Sequence, residues 1–216
     1  MSANALISQL RSLRNEANIA SQLRFGITPR TEQLGIPVPA LRELAREHRR
    51  DHSLALDLWA SDINEARILA TFVADPARLT RDQSERWVRE CDNWALTDAF
   101  AFLVDRTPFA ATKALLWSTR QGEFMKRAAF STMAGLAVHQ KDLPDDVFLT
   151  FFPAITRESI DDRNFVKKSV NWALRQIGKR NPRLRKAAIA EAKAIAKIDS
   201  PAARWIAKDA LRELKK

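Results

Sequence analysis

In the segment CDNWALTDAF, residues 91 to 100, a tryptophan and a carboxylate stand four positions apart. On a helix that spacing puts Trp94 and Asp98 on one face, with the small Thr97 and Ala101 beside them. A second tryptophan lies in NFVKKSVNWALRQIGKR, residues 164 to 180. At about 100° per residue, Val166, Val170, Ala173, Leu174 and Ile177 form the apolar stripe of that helix. Trp172 falls outside the stripe, among Lys168, Arg175 and Lys179. The face of an indole attracts cations, with about 0.5 to 2 kcal/mol available depending on desolvation. Two indoles and one carboxylate therefore make a site for positive charge.

In DNA such a charge arises on an alkylated purine, whose ring is already cationic. It also arises on the oxocarbenium-like sugar formed as the glycosidic bond of that purine breaks. A site that holds this charge favours the transition state of bond cleavage, and Asp98 would also hold the attacking water. The carboxylate logic is that of glycoside hydrolysis. An alkylated base is already a good leaving group, so no general acid is strictly required. Each residue has an ordinary reading as well. Trp94 would cap the core near a helix start, Asp98 would pair with a neighbouring arginine, and Trp172 would pack against the following repeat.

The elements that must position these groups read as helix after helix, with no convincing alternating strand. Glycine is scarce, at 5 residues, and Ala, Leu, Arg, Lys and Glu are abundant. Residues 26 to 39, GITPRTEQLGIPVP, form one long loop, and Pro76, Pro108, Pro144, Pro153, Pro182 and Pro201 punctuate the rest. The segments 65–76, 95–108, 124–137, 165–178 and 202–214 resemble one another and recur every roughly 30 to 40 residues. Further helical segments stand between most of them, at 80–91, 110–119, 144–157 and 182–196. The pattern predicts an all-α array of helix pairs, a solenoid with a concave surface, folding as a single domain over residues 1–216. Alignment puts Arg67, Asp98, Arg127, Lys168 and Arg204 at one equivalent position. Four of these five are basic, a ladder suited to tracking phosphates, and Asp98 needs another explanation.

A net charge of +10, spread along the chain, indicates a polyanionic partner, with nucleic acid ahead of membrane. No apolar run approaches the roughly 18 residues of a membrane span, and the N-terminal stretch lacks the features of a signal peptide. Cys91 is a lone cysteine, no Cys/His set has zinc spacing, and a reducing cytoplasm is the expected setting. His48 and His52, four apart among arginines, read as solvated surface rather than metal ligands. There is no Gly-rich phosphate loop and no G-x-S-x-G elbow, so neither a cofactor nor a metal is expected. The basic C-terminal helices are rich in Ala and short of large apolar residues, which suits repeat packing better than a membrane surface.

LGIPVPALRELA, DNWALTDAF, FMKRAAFSTMAGLA and NFVKKSVNWALRQIGKRNP, in that order and at these distances, resemble the AlkD-like DNA alkylation repair family. The resemblance runs from about residue 20 to the C-terminus. It implies a HEAT-like helical-repeat solenoid with a concave basic face. It also implies a DNA glycosylase that removes cationic N3- and N7-alkylated purines from double-stranded DNA, without flipping the lesion into a pocket. The family's catalytic groups are two tryptophans, an aspartate and a backbone-contacting arginine. By motif they fall on Trp94, Trp172, Asp98 and Arg127. Lys168, Arg175, Lys179, Arg67 and Arg204 would then hold adjacent phosphates, with the protein working as a monomer. One departure is that the chain has no tyrosine, so any tyrosine that relatives set against DNA near the N-terminus is missing, and Phe25 is the aromatic residue there. The alternative is a non-catalytic DNA-binding protein of the same architecture that recognises damaged or branched DNA. Beyond both stands a protein-binding scaffold for acidic partners.

Overall fold

Asparagine, serine, threonine and aspartate side chains set the starts of many of the helices. Ser2, Asn15, Asp51, Thr80, Asn93, Asn181 and Ser200 each accept a backbone N–H from the first turn that follows. The computed structural model describes residues 2–215, which fall into two compact units with the boundary between Thr107 and Pro108. Among the described residues the regular structure is helical apart from an isolated parallel bridge between Glu32 and Ile63.

The first unit holds α1 (Ala3–Ser12), α2 (Glu16–Arg24), α3 (Val38–Leu44), α4 (His52–Ala60), α5 (Asn64–Val73), α6 (Arg81–Glu90) and α7 (Trp94–Val104). Helix α5 lies at its centre, against α3, α4 and α7. The core is aromatic: Trp59 and Trp87 stack with centroids 4.0 Å apart, and Phe100 packs tilted against Trp59. The long loop between α2 and α3 is held by a buried carboxylate. Glu65 accepts the Leu34 N–H at 2.9 Å and the Gly35 N–H at 2.7 Å, and burial pushes its carboxyl upward against these bonds. Only glycine fits at Gly35, where φ is +73° and a Cβ would stand 2.4 Å from the Asn15 carbonyl oxygen.

The second unit holds α8 (Ala110–Ser118), α9 (Glu123–His139), α10 (Asp145–Leu149), α11 (Phe152–Glu158), α12 (Asn164–Lys179), α13 (Pro182–Ile195) and α14 (Pro201–Leu214). Helices α9 and α12 pack along each other, with α8 on α9 and with α13 and α14 on α12. The stripe read from the sequence is the buried face of α12: Val166, Val170, Ala173, Leu174 and Ile177 are fully enclosed. At Gly178 the helices approach so closely that a Cβ would meet the Leu214 side chain at 2.7 Å and the Ala188 Cβ at 2.9 Å.

Two expectations change. Residues 144–157 are not one helix; the chain breaks at Thr150 and Phe151 and restarts with Pro153 in the first turn of α11. Proline has no N–H to continue the preceding helix, and the break lets Phe148 and Phe151 both bury completely. His52 is not solvated surface either. It is 4% exposed, with its Nε2 3.1 Å from Gln83 Oε1, and Arg50 at φ +65° separates the turn carrying His48 from α4. Among the described residues no cluster of His, Cys, Asp or Glu could hold a metal ion, and no helix is long and apolar enough to cross a membrane. Cys91 is buried, and burial pushes its thiol up, which makes it inert.

Candidate nucleic-acid interface

Trp94 and Asp98 owe their placement to Asn93. That residue is fully buried and caps α7, accepting the Ala95 and Leu96 N–H groups at 3.1 Å each. Its side-chain amide donates to Asn64 Oδ1 at 2.9 Å and Asp92 Oδ1 at 3.0 Å, which fixes the start of α7 against α5. Trp94 is the first residue of α7 and Asp98 lies one turn further on; both are half-buried. Thr97 turns inward and donates to the Asn93 carbonyl at 2.7 Å, and Ala101 is buried. The Trp94 indole N–H donates to the Phe25 carbonyl at 3.0 Å, at the end of α2. Nearby, Asp92 accepts the Arg30 backbone N–H at 2.7 Å. The α2–α3 loop is thus tied twice to the turn from which Trp94 projects, and Phe25 itself is 71% exposed.

Arg67 departs from the picture of an open rung. Its side chain is 12% exposed, its Nε donates to the Trp59 carbonyl at 3.2 Å, and Asp62 and Glu90 lie 3.5 and 3.6 Å from its Nη2. A groove of about 950 Å³ lies beside it, lined by Arg11, Arg30, Arg67 and Arg89 and by as many carboxylates, Glu32, Asp62, Glu90 and Asp92.

In the second unit Arg127 is also enclosed, at 7% exposed, with one guanidinium N–H on the Phe165 carbonyl at 2.9 Å. Its neighbour Lys126 is buried between Glu158 and Asp161, and Arg163 donates to Asp161 and to the Gln121 carbonyl. This cluster fastens the start of α9 to the turn that precedes α12. Burial pushes the Asp161 carboxyl upward, but the hydrogen bonds from Arg163 and Lys126 outweigh it and hold the group at about 2.

Trp172 is half-buried on α12, and Lys168, one turn before it, is exposed. Next to Trp172, Asn171 donates to Asp209 of α14 at 2.7 Å. Arg175 pairs with Asp209 at 3.0 Å, Lys179 with Glu213 at 2.5 Å, and Arg204 with Asp199 at 2.9 Å. Of the five basic residues assigned to phosphates, Lys168 alone faces solvent with no carboxylate partner among the described residues. The sequence reading passed over Trp205, which is 41% exposed and carries the Lys167 Nζ 5.3 Å from its ring centroid. Like Trp172 on α12, Trp205 lies outside the buried stripe of its helix, Ala203, Ile206, Ala207, Ala210 and Leu214.

Residues 6–214 match the family described as DNA alkylation repair enzyme. The chain belongs to that family. The match spans both compact units. An uncharacterized protein of Listeria innocua is 23% identical to this DNA alkylation repair family member over 197 residues, covering 89% of this chain and 86% of that protein. A solved structure, described as from a new family of proteins related to the HEAT-like repeat DNA glycosylases with affinity for branched DNA structures, aligns with a TM-score of 0.81. It is 19% identical and the alignment covers 99% of this chain and 96% of that one. The fold is therefore an all-α, HEAT-like repeat. The helices α5, α7, α9, α12 and α14, on which the five similar sequence segments fall, begin at residues 64, 94, 123, 164 and 201.

Proposed function

We propose that the protein is a DNA glycosylase that releases cationic N3- and N7-alkylated purines from duplex DNA without flipping the lesion out of the stack. The observation that carries the reading is the pairing of Asp98 with Trp94 on the first two turns of α7, whose start is fixed by a fully buried cap. A half-buried carboxylate and an indole face, held rigidly, favour a positive charge that develops beside them. The C1′–N bond breaks with its electron pair leaving on the base, which neutralises the alkylated ring. The sugar becomes oxocarbenium-like, water adds at C1′, and Asp98 orients that water and takes up or relays its proton. The products are the free base and an abasic site.

The family resemblance assigns Trp172 as the second indole and Arg127 as the arginine directed at the backbone; Arg127 is enclosed and must leave the Phe165 carbonyl to act so. Lys168 meets phosphate directly. Arg175, Lys179 and Arg204 exchange exposed or half-exposed carboxylate partners for phosphates, at small cost because surface ion pairs are weak. Arg67, largely enclosed like Arg127, contributes little. The reading needs no cofactor or metal and works with a monomer. It is tested by single-turnover release of 7-methylguanine from duplex DNA by the parent protein and Asp98→Asn.

A second reading, binding of damaged or branched DNA without chemistry, draws on the affinity described for the solved relative and on the absence of tyrosine. It has no use for Asp98 and expects Asp98→Asn to tighten binding, with no base released by either protein.

A further inference from the structure

Helix α14 presents an outer face of which the glycosylase reading uses only Arg204. Arg204, Trp205, Lys208 and Arg212 are all exposed there, while Ala203, Ile206, Ala207 and Ala210 are buried on the opposite side. An indole left 41% exposed forgoes burial that would stabilise the fold. Cations also lie along the helix beside it, and Asp209, four residues on, is paired with Arg175 and Arg212. Lys167 reaches across from α12 to place its ammonium over the ring, Arg204 precedes it, and Lys208 follows one turn later. Lys167 and Lys208 have no carboxylate partner among the described residues. The partner of Arg204, Asp199, is itself wholly open to solvent, so a phosphate displaces it readily.

We propose that this face binds unpaired bases of DNA, with one base stacked on Trp205 and the flanking phosphates held by Lys167, Arg204 and Lys208. Aromatic platforms set in a basic surface hold single strands in this way, because every base has a π-face and the cations follow the backbone. Lys167 shifts from the indole to a phosphate as the base arrives. The site lies on the surface of the second unit and adds a preference for DNA that is frayed, gapped or branched. It rests on the nucleic-acid reading above but not on the chemistry of Asp98.

The test compares two labelled DNAs in one titration by fluorescence anisotropy, a fully paired duplex and the same duplex with a short single-stranded extension. The proteins are the parent, Trp205→Ala and Trp205→Phe. The parent should bind the extended duplex more tightly. Trp205→Ala should lose about tenfold of that affinity, roughly what one stacked base is worth, and leave the paired duplex unaffected. Trp205→Phe should keep most of the preference. Equal binding of both DNAs by the parent, or equal losses on both DNAs in Trp205→Ala, would overturn the site while leaving duplex recognition standing. A parent that binds neither DNA would remove the nucleic-acid reading, and this site with it.

Discussion

The indole N–H of Trp94 donates to the carbonyl of Phe25 at 3.0 Å, joining the start of α7 to the end of α2 across 69 residues of chain. The bond orients the ring at a helix position that is only half-buried, where packing alone would leave it free to change rotamer. Trp94→Phe keeps an aromatic face but loses the bond. It should lower stability by only about 0.5 to 1.5 kcal/mol, the net worth of one hydrogen bond. Base release should fall by a larger factor than DNA affinity, and paired melting, binding and single-turnover measurements check this.

Asn93 governs the same helix from inside. Replacing it with alanine removes a cap and strands the Asn64 side chain in the core. Asn93→Ala should destabilise the protein by about 2 to 4 kcal/mol, combining a lost cap with an orphaned buried group. Urea unfolding gives the value, and a loss within experimental error would mean that α7 is positioned by packing alone.

Acid should loosen the second unit through Asp161. Its carboxyl is held at about 2 against an ordinary value of 3.8, so the native state favours its ionised form. The stabilisation is fully present above 3.8 and is lost as pH falls from there through about 2. Asp161→Asn should be less stable than the parent at neutral pH, and the difference should shrink across that acid window. Thermal melts at a series of pH values follow it.

Phosphate contact should be unequal among the cations. Lys168→Ala should reduce the slope of log affinity against log salt by about 1. Arg67→Ala should change the slope less and stability more, because its guanidinium holds the Trp59 carbonyl and lies between Asp62 and Glu90. Titrations at several salt concentrations, set beside denaturation of each variant, separate the two effects.

The repeat was legible because its signals are local. Apolar residues at helical spacing, prolines at helix starts and the recurrence of one pattern are all present within short windows, and α12 buries the stripe they define. What escaped depends on distant partners. His52 is buried because Gln83, 31 residues away, meets its ring. Arg175 and Lys179 read as open cations until α14 brings Asp209 and Glu213 against them. Arg67 and Arg127 share a sequence register with Lys168, yet backbone carbonyls elsewhere in the chain take their guanidinium groups. The break before Pro153 was obscured by the run Phe151–Phe152, which continues the apolar pattern across it. Trp205 needed no tertiary information, since its phase on the helix already set it outside the core.

Asp98 carries the central claim, and one measurement tests it most directly: single-turnover release of 7-methylguanine from duplex DNA, with the parent and Asp98→Asn side by side and DNA affinity measured for both. The account expects release by the parent, a rate at least about a hundredfold lower in Asp98→Asn, on the scale of losing one preorganised electrostatic group, and unimpaired binding. Equal rates in the two proteins would contradict it. So would tight, salt-dependent binding by a parent that releases no base, which would leave the tryptophans as a recognition clamp.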